Sequence, residues 1–336
     1  MGYLSMEPMR EQPCCPICKC NRCKEILTKR VEYPAGELHS NLLDGDFVRN
    51  KILFDKILFR QEPLRFHFKL CTECGLIFFD PRPDEKDMRT KYKITDELGD
   101  VEKRERAQFI RTYNDKRALE IYKAISKIKH IQNANVADVG GAQGLNLKYF
   151  LERNACYVVD YQKRDLAGNV QYLCQTVKDI PSSIRFAAVL FCHTLEHVVD
   201  PVQEVTAIRD ILEQNGILYI EVPLGCWREY QTVRNFITHI NFFSEGSLGY
   251  LLNQCGLNIR YLKARPALVQ TGYTYSVVAI AENTLPRGRE VNGYLITRRQ
   301  MKGRYLLQLH KLILEARLKK FGFLVDVSKR LRKTRG

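Results

Sequence analysis

The chain has 336 residues, 45% of them hydrophobic and 10% aromatic, which is enough for two domains and an appendage. No apolar run approaches the roughly 20 residues of a membrane span, and the N-terminus lacks the pattern of a secretory signal, so we expect a cytoplasmic protein. The net charge is +15, but residues 286–336 hold 15 basic and 3 acidic side chains, so the main body is nearly neutral.

Paired cysteines dominate the start of the chain, where residues 1–83 are predicted to form a small zinc-binding domain. The segment "CPIC" contains Cys15 and Cys18, and "CTEC" contains Cys71 and Cys74. Two C-x-x-C pairs separated by a folded excursion have the spacing of a tetrahedral zinc site. Four thiolates leave no open coordination position, so this zinc is predicted to be structural.

Three further cysteines lie close to the first pair and leave its assignment open. They are Cys14, Cys20 and Cys23, and the last two form a C-x-x-C pair of their own. The set Cys15, Cys18, Cys71 and Cys74 is favoured because it joins two separate pairs across the domain.

Residues 84–132 have apolar side chains at helical spacing and are predicted to be a helical connector. From residue 133 to 285, short apolar strands alternate with helices, including helices over 145–152, 201–212 and 245–256. This alternation predicts an α/β fold with a doubly wound, mostly parallel sheet.

A glycine turn follows the first of these strands in "DVGGAQG". It contains Asp138, Gly140, Ala142 and Gly144, and the next strand ends in Asp160. Glycines at such a turn let the backbone approach a ligand closely, and an acid at the second strand end can bind ribose hydroxyls. The pattern lacks the second and third glycines of a dinucleotide site. The residues therefore indicate an adenosine-containing cofactor of another kind.

The turn resembles the D-x-G-x-G-x-G pattern of class I S-adenosylmethionine (SAM)-dependent methyltransferases, with Ala142 in place of the middle glycine. The segments "CGLIFFDPRP", "FAAVLFCHTLEHVVDP", "NGILYIEVP", "HINFFS" and "SLGYLLNQCGL" resemble further landmarks of the group that has an N-terminal zinc-binding domain. That group includes sugar and polysaccharide-related methyltransferases. The resemblance covers residues 70–282 and implies a seven-stranded Rossmann-like fold and a SAM cofactor.

The same resemblance implies roles for individual residues. Asp138 and the backbone of the turn, Gly140, Ala142 and Gly144, would hold the methionine part of the cofactor. Asp160 would hold the ribose. Cys192 and His193 follow the fourth strand of the sheet, where the methyl-bearing sulfur would face the acceptor.

A cluster of polar residues follows that strand in "CHTLEH", namely His193, Glu196 and His197, and His239 lies further along the chain. Three interpretations compete. The first is a general base, with His197 favoured and oriented by Glu196. The second is a divalent metal bound by these residues. The third is a structural role in which hydrogen bonds order the loops. His239 is expected to contact the acceptor.

The last 51 residues, 286–336, are predicted to form a basic amphipathic helical tail, because Tyr305, Leu309 and Leu312 fall at helical spacing among Lys and Arg. The tail is interpreted as packing on the main domain, as lying on the anionic inner face of a membrane through residues 287–336, or as binding nucleic acid. No nucleic-acid motif accompanies it, so the last interpretation is the weakest.

Together the residues predict a cytoplasmic SAM-dependent methyltransferase, peripheral to the membrane if the tail binds there. The expected acceptor is a hydroxyl or carbon of a small molecule, such as a sugar or polysaccharide precursor. The alternatives are a nucleic-acid methyltransferase and a non-catalytic SAM-binding protein.

Overall fold

A seven-stranded sheet organises most of the chain in the computed structural model, which describes residues 14–31, 64–98, 107–226, 229–232, 238–269, 272–284 and 291–302. The strands of these residues are β1 (Cys23–Val31), β2 (Leu64–Cys71), β3 (Ile77–Asp80), β4 (Asn135–Val139), β5 (Ala155–Val159), β6 (Gln171–Cys174), β7 (Phe186–Cys192), β8 (Leu212–Pro223), β9 (Asn241–Phe242), β10 (Asn258–Val269) and β11 (Gly272–Glu282). Their helices are α1 (Glu85–Leu98), α2 (Ala107–Ser126), α3 (Pro201–Ile211), α4 (Glu229–Thr232), α5 (Glu245–Gln254) and α6 (Gly293–Gln300).

The large sheet has the strand order β10-β11-β8-β7-β4-β5-β6. Strands β8, β7, β4, β5 and β6 are parallel, whereas β11 is antiparallel to both of its neighbours. The predicted seven-stranded, mostly parallel α/β fold is therefore confirmed. Every residue of β7 is buried, as expected for a central strand covered on both faces.

The parallel pairing sets the position of the predicted site residues. In β4, Asp138 and Val139 pair with Val158 and Val159 of β5, and Val139 also pairs with Phe191 of β7. The carboxyl ends of these three strands therefore meet at one edge of the sheet. In open α/β sheets, ligands bind at this edge, beside the point where the strand order reverses.

The segment after the glycine turn is less helical than predicted. Only Leu145–Leu147 form a 3-10 helix, and turns continue to residue 153. The side chain of Asn154 donates to the carbonyl oxygen of Phe150 at 3.0 Å, and Asn146 donates instead to Asp138. These side-chain bonds compete with a regular α-helix.

A second, antiparallel sheet has the order β1-β2-β3-β9 and carries the paired cysteines at its ends. Its last strand comes from residues 241–242, far along the chain. The ring of Phe242 lies 5.6 Å from that of Phe68 and 6.3 Å from that of Phe79, which joins the two parts of the chain in one apolar core. The predicted boundaries at residues 83, 132 and 285 stay predictions.

Helix α6, at the start of the predicted tail, packs on the body of the protein. Thr297 and Gln300 are buried, and the Thr297 hydroxyl hydrogen-bonds to Ser244. For residues 291–302 this agrees with the interpretation of a tail that packs on the main domain. The predicted amphipathic stretch around Tyr305 to Leu312 lies outside the described residues. No helix in the described ranges is long and apolar enough to cross a membrane.

The contact of α6 with the second cysteine pair depends on a residue without a side chain. A Cβ atom at Gly293 would lie 2.1 Å from the carbonyl oxygen of Cys74, which is backbone and cannot move aside easily. We expect Gly293→Ala to lower the free energy of unfolding by about 1–3 kcal/mol, the usual cost of overpacking. Urea denaturation followed by circular dichroism measures this.

The matched control is Leu295→Ala in the same helix, since Leu295 is 49% exposed. It should change the free energy of unfolding by less than about 0.5 kcal/mol. Equal stabilities of the Gly293→Ala variant and the wild type would contradict the packing of α6 against Cys74.

Candidate active site

A cavity of about 500 Å³ opens at the carboxyl edge of the large sheet, between that edge and helix α1. Gly140 and Asp160 line one part of it, and His193 and His197 line another. Tyr92 of α1 closes the remaining side, where its ring stacks against Tyr161 at 6.1 Å. Gly140 and Asp160 of the predicted cofactor residues therefore share one cavity with two of the predicted catalytic histidines.

The glycine turn at the cavity is held in a conformation that only small side chains permit. Gly140 has a φ of 69°, and a Cβ atom there would lie 2.3 Å from the hydroxyl oxygen of Thr194. Ala142 also has a positive φ, of 49°. Its amide nitrogen donates to Oδ2 of Asp160 at 3.0 Å, so Asp160 fixes the turn. Gly144 ends the turn and begins the 3-10 helix.

Asp138 lies beneath this turn and is fully buried. Its Oδ2 accepts a hydrogen bond from Asn146 at 3.0 Å, whereas Oδ1 has no partner among the described residues. Burial raises the pKa of Asp138 to about 7, and the negative charge of Asp160 adds to the effect. A buried, unpaired carboxylate oxygen fits a cationic ligand such as an amino group, since a nearby positive charge stabilises the ionised form.

Cys192 and His193 are adjacent but lie in different surroundings. The Cys192 thiol is buried in the core, and burial raises its pKa. His193 has a φ of 52°, a left-handed conformation at the end of β7 that turns its ring toward the cavity wall. Its backbone nitrogen donates to the carbonyl oxygen of Glu221 at 2.8 Å, which fixes this turn.

Two buried carboxylates flank the His193 ring. Nδ1 lies 3.4 Å from Oε1 of Glu196, and Nε2 lies 3.5 Å from Oε1 of Glu221. Burial alone would lower the pKa of His193, but the two carboxylates outweigh it and raise the pKa to about 9. His193 is therefore a cation at neutral pH.

Glu221 is a site residue that the sequence prediction missed. It is 2% exposed near the end of β8, and its Oε2 lies 3.3 Å from Arg117 and 3.7 Å from Arg265. Burial opposes its ionisation, but Arg117 and His193 hold its pKa far below the usual range. The available signal was a glutamate inside the apolar run "GILYIEVP", because an acid in a buried strand needs a partner.

Glu196 and His197 of the 3-10 helix Leu195–His197 come together with His239, which precedes β9. Each offers a donor atom, and these atoms lie within 4.8 Å of one another, close enough to hold a metal ion. The His197 and His239 rings are 4.9 Å apart. Oε2 of Glu196 is buried without a partner among the described residues, and Oε1 lies 3.8 Å from Nε2 of His197.

Hydrogen bonds at Nδ1 fix the orientation of both rings. Nδ1 of His197 donates to the carbonyl oxygen of Thr238, which leaves Nε2 as the unprotonated nitrogen. Nδ1 of His239 pairs with Glu229. Burial lowers the pKa of His197 to about 3, so its ring is neutral at physiological pH. Burial also acts to lower the pKa of His239, but Glu229 outweighs it and raises this pKa.

The predicted zinc ligands also come together. The Sγ atoms of Cys15, Cys18, Cys71 and Cys74 lie within 4.8 Å of one another. A four-thiol group with mutual distances of this size fits a tetrahedral zinc ion. These residues would hold the ion at the junction of the first cysteine segment with β2 and the turn after it.

Comparisons with known proteins agree with the geometry of the large sheet. Residues 109–262 match the family model described as a methyltransferase domain. This region is a class I SAM-dependent methyltransferase domain. The protein is accordingly a SAM-dependent methyltransferase, and SAM is the cofactor of this domain. No match was found among curated proteins.

Solved structures similar to the methyltransferase are distant. The 1,6-didemethyltoxoflavin-N1-methyltransferase of Burkholderia thailandensis is 15% identical over 62% of this chain and 95% of its own, with a TM-score of 0.47. A SAM-dependent methyltransferase of Methanosarcina mazei is 15% identical over 48% of this chain and 97% of its own, with a TM-score of 0.38. The N-methyltransferase NodS of Bradyrhizobium japonicum is 11% identical over 52% of this chain and 98% of its own, with a TM-score of 0.39. None of these likenesses carries an argument about the acceptor.

The charged state of His193 has a measurable consequence for stability. Because its pKa is about 9 in the folded protein and near 6.5 when unfolded, the folded state binds an additional proton between these values. The stabilisation is complete below pH 6.5 and is lost as the pH rises through about 9. We expect the stability difference between wild type and His193→Gln to shrink by up to about 3 kcal/mol over this range.

Urea denaturation of both proteins from pH 5.5 to 9.5 measures this difference. His130→Gln is the matched control, since His130 is an exposed histidine outside the cavity. Parallel pH profiles for wild type and His193→Gln would show that His193 is not held as a cation between Glu196 and Glu221.

Proposed function

We propose that the methyltransferase moves the methyl group of SAM to a hydroxyl or carbon of a small molecule, a sugar or polysaccharide precursor. The observation that carries this proposal is the single cavity shared by the glycine turn, Asp160 and the imidazole of His197. A volume of about 500 Å³ lies in the range of small-molecule sites. The methyl donor and a polar acceptor group would therefore meet at the carboxyl edge of β4 and β7.

The cofactor would lie along the turn. Asp138 would bind the amino group of its methionine part through the unpaired Oδ1, and Asp160 would accept hydrogen bonds from the ribose. The backbone of Gly140, Ala142 and Gly144 would pass close to the methionine part. Bound SAM supplies an activated methyl group, so the protein has to align the acceptor, exclude water and accept one proton.

We propose His197 as the acceptor of that proton. Its Nε2 is unprotonated because Nδ1 donates to Thr238, and its ring is neutral at pH 7. Oε1 of Glu196 lies 3.8 Å from Nε2 of His197. Glu196 is a carboxylate, because His193 outweighs the effect of burial and lowers the pKa of Glu196 to about 2. Its negative charge would stabilise the imidazolium that forms. Cationic His193 would place a fixed positive charge beside the acceptor.

The basic side chains on the cavity wall opposite the sheet favour an acceptor with a negative charge. Helix α1 contributes Arg89 and Lys93 to the cavity, and both side chains are exposed at its mouth. Guanidinium and ammonium groups bind phosphate by charge-assisted hydrogen bonds. A phosphate-linked sugar precursor would place its phosphate at this mouth and its sugar beside His197. A nucleic acid would also present phosphates, and it remains the alternative acceptor.

A divalent metal site is the second candidate for the histidine cluster. The close donor atoms of Glu196, His197 and His239 and the unpaired Oε2 of Glu196 favour it. The hydrogen bonds of both Nδ1 atoms to Thr238 and Glu229 are the kind of outer contact that orients metal-bound histidines. In that case the metal would bind acceptor oxygens, and His197 would be a ligand.

The role of Asp160 is tested by titrating S-adenosylhomocysteine into the protein in a calorimeter. We expect wild type to bind at micromolar strength and Asp160→Ala to bind about 10–100-fold more weakly, because two ribose hydrogen bonds are lost. Asp165→Ala, a substitution of a nearby exposed acid, should bind as wild type does. Equal affinities of wild type and Asp160→Ala would remove the ribose contact, and no binding by folded wild type would favour a non-catalytic protein.

The role of His197 is tested by transfer of labelled methyl from SAM into a panel of nucleotide-linked sugars. We expect His197→Gln to lower kcat by about 100-fold or more, as for loss of a general base, with S-adenosylhomocysteine affinity within twofold of wild type. Glu204→Gln, on another part of the cavity wall, should retain most activity. Retention of more than a tenth of kcat in His197→Gln would show that another group accepts the proton.

Treatment with a chelator distinguishes a role of His197 as general base from a divalent metal site at the histidine cluster. If His197 is the base, activity should be unchanged after treatment with a chelator too weak to remove thiolate-bound zinc. Loss of activity that returns on adding a divalent ion would favour the metal site.

A further inference from the structure

Six cysteines, not four, surround the predicted zinc position. Cys20 and Cys23 form the C-x-x-C pair that the four-ligand assignment leaves unused, and both are only partly exposed. All cysteines of the described residues are free thiols. Their distances to the four predicted ligands indicate what the additional pair does.

Cys20 is as close to two of the predicted ligands as those ligands are to each other. The Sγ atoms of Cys18 and Cys71 are 3.4 Å apart, and that of Cys20 lies 3.4 Å from Cys18 and 3.5 Å from Cys71. Cys15 and Cys74, the other two ligands, are also 3.4 Å apart. With a Zn–S bond of about 2.3 Å, the edge of a tetrahedron of thiolates is about 3.8 Å. The triangle of Cys18, Cys20 and Cys71 therefore has the dimensions of one face of a second such tetrahedron.

Cys23, the other member of the additional pair, lies opposite Cys71. It pairs with Cys71 across the antiparallel strands β1 and β2, and residues directly opposite in such strands project to the same face of the sheet. Cys23 thus lies on the β1 side of Cys71. Cys15 comes from the "CPIC" segment, and Cys74 comes from the "CTEC" segment, which begins at the last residue of β2.

The local backbone brings the additional pair into place. Lys19 has a φ of 57°, and this left-handed residue reverses the chain between Cys18 and Cys20. The amide nitrogen of Cys15 donates to the carbonyl oxygen of Cys20 at 3.0 Å, which closes the turn. Cys18 and Cys20 are therefore held side by side, whereas residues i and i+2 of an extended strand share a face but lie about 7 Å apart.

We propose that the six cysteines bind two zinc ions as a binuclear thiolate cluster. Cys18 and Cys71 bridge the ions, Cys15 and Cys74 complete the first, and Cys20 and Cys23 complete the second. Binding of the second ion replaces the protons of the Cys20 and Cys23 thiols, so two protons leave as one Zn²⁺ enters. The second ion ties the start of β1 to the end of β2, whereas none of the ligands of the first ion lies in β1.

The test is the zinc content of the purified full-length protein, measured by mass spectrometry against protein concentration. To remove any contribution of the histidine cluster, the chain carries His197→Gln and His239→Gln. We expect two zinc ions per chain, and one in a variant that also carries Cys20→Ser and Cys23→Ser. The control Cys14→Ser, which removes an exposed neighbouring thiol, should keep two. One zinc per chain before the cysteine substitutions would overturn the proposal.

A second measurement tests whether the cysteines bind one ion or two if the Cys20→Ser, Cys23→Ser variant does not fold. Cadmium-113 NMR of the cadmium-exchanged chain with intact cysteines should give two resonances of equal area from all-thiolate sites. A single resonance would show that Cys20 and Cys23 are spare thiols beside one ion. Neither readout depends on methyl transfer, so the result is independent of the proposed acceptor and of the proposed base.

Discussion

The guanidinium of Arg82 holds together the loops on which the active site depends. It lies just after β3 and donates to the carbonyl oxygen of Ile240 at 2.6 Å, to those of Val198 and Val199 at 3.2 and 3.1 Å, and to Oδ1 of Asn241 at 2.8 Å. One loop carries His197 and the other His239. A charged group fits here because four oxygens replace the water it loses. The N-terminal region thereby helps to position loops of the candidate site that lie more than 100 residues away.

The charges behind those loops alternate in a way that fixes the protonation of each group. Arg117 faces Glu221, Glu221 faces His193, and His193 faces Glu196. Each buried charge thus has an opposite neighbour, which offsets the cost of removing it from water. The result is a cationic His193 beside a neutral His197. Fixed charges of this kind stabilise a reacting group without having to reorient during the reaction.

The cysteine region contributes to the fold in addition to offering four thiols that could hold a metal ion. Its sheet shares strand β9 with the methyltransferase domain, and Gly293 of α6 packs on the carbonyl of Cys74. The Thr297 hydroxyl of the same helix bonds to Ser244, the residue that caps α5. The thiolate turns, the C-terminal helix and the capping residue of α5 therefore form one packed unit. Metal loss should disturb all three.

The sequence by itself determined the fold, an adenosine-containing cofactor and the two cysteine pairs, because strand periodicity, a glycine turn and C-x-x-C spacing are local patterns; the resemblance to methyltransferases identified that cofactor as SAM. It also predicted that His193, Glu196 and His197 would meet the cofactor site, since the carboxyl ends of parallel strands share one edge. Tertiary structure alone decided that Glu221 and Arg117 hold His193 as a cation, that Arg82 joins the loops, and that Cys20 and Cys23 crowd against Cys71. Those contacts join residues dozens to more than 100 positions apart. Their energies depend on burial and distance, which no local pattern records.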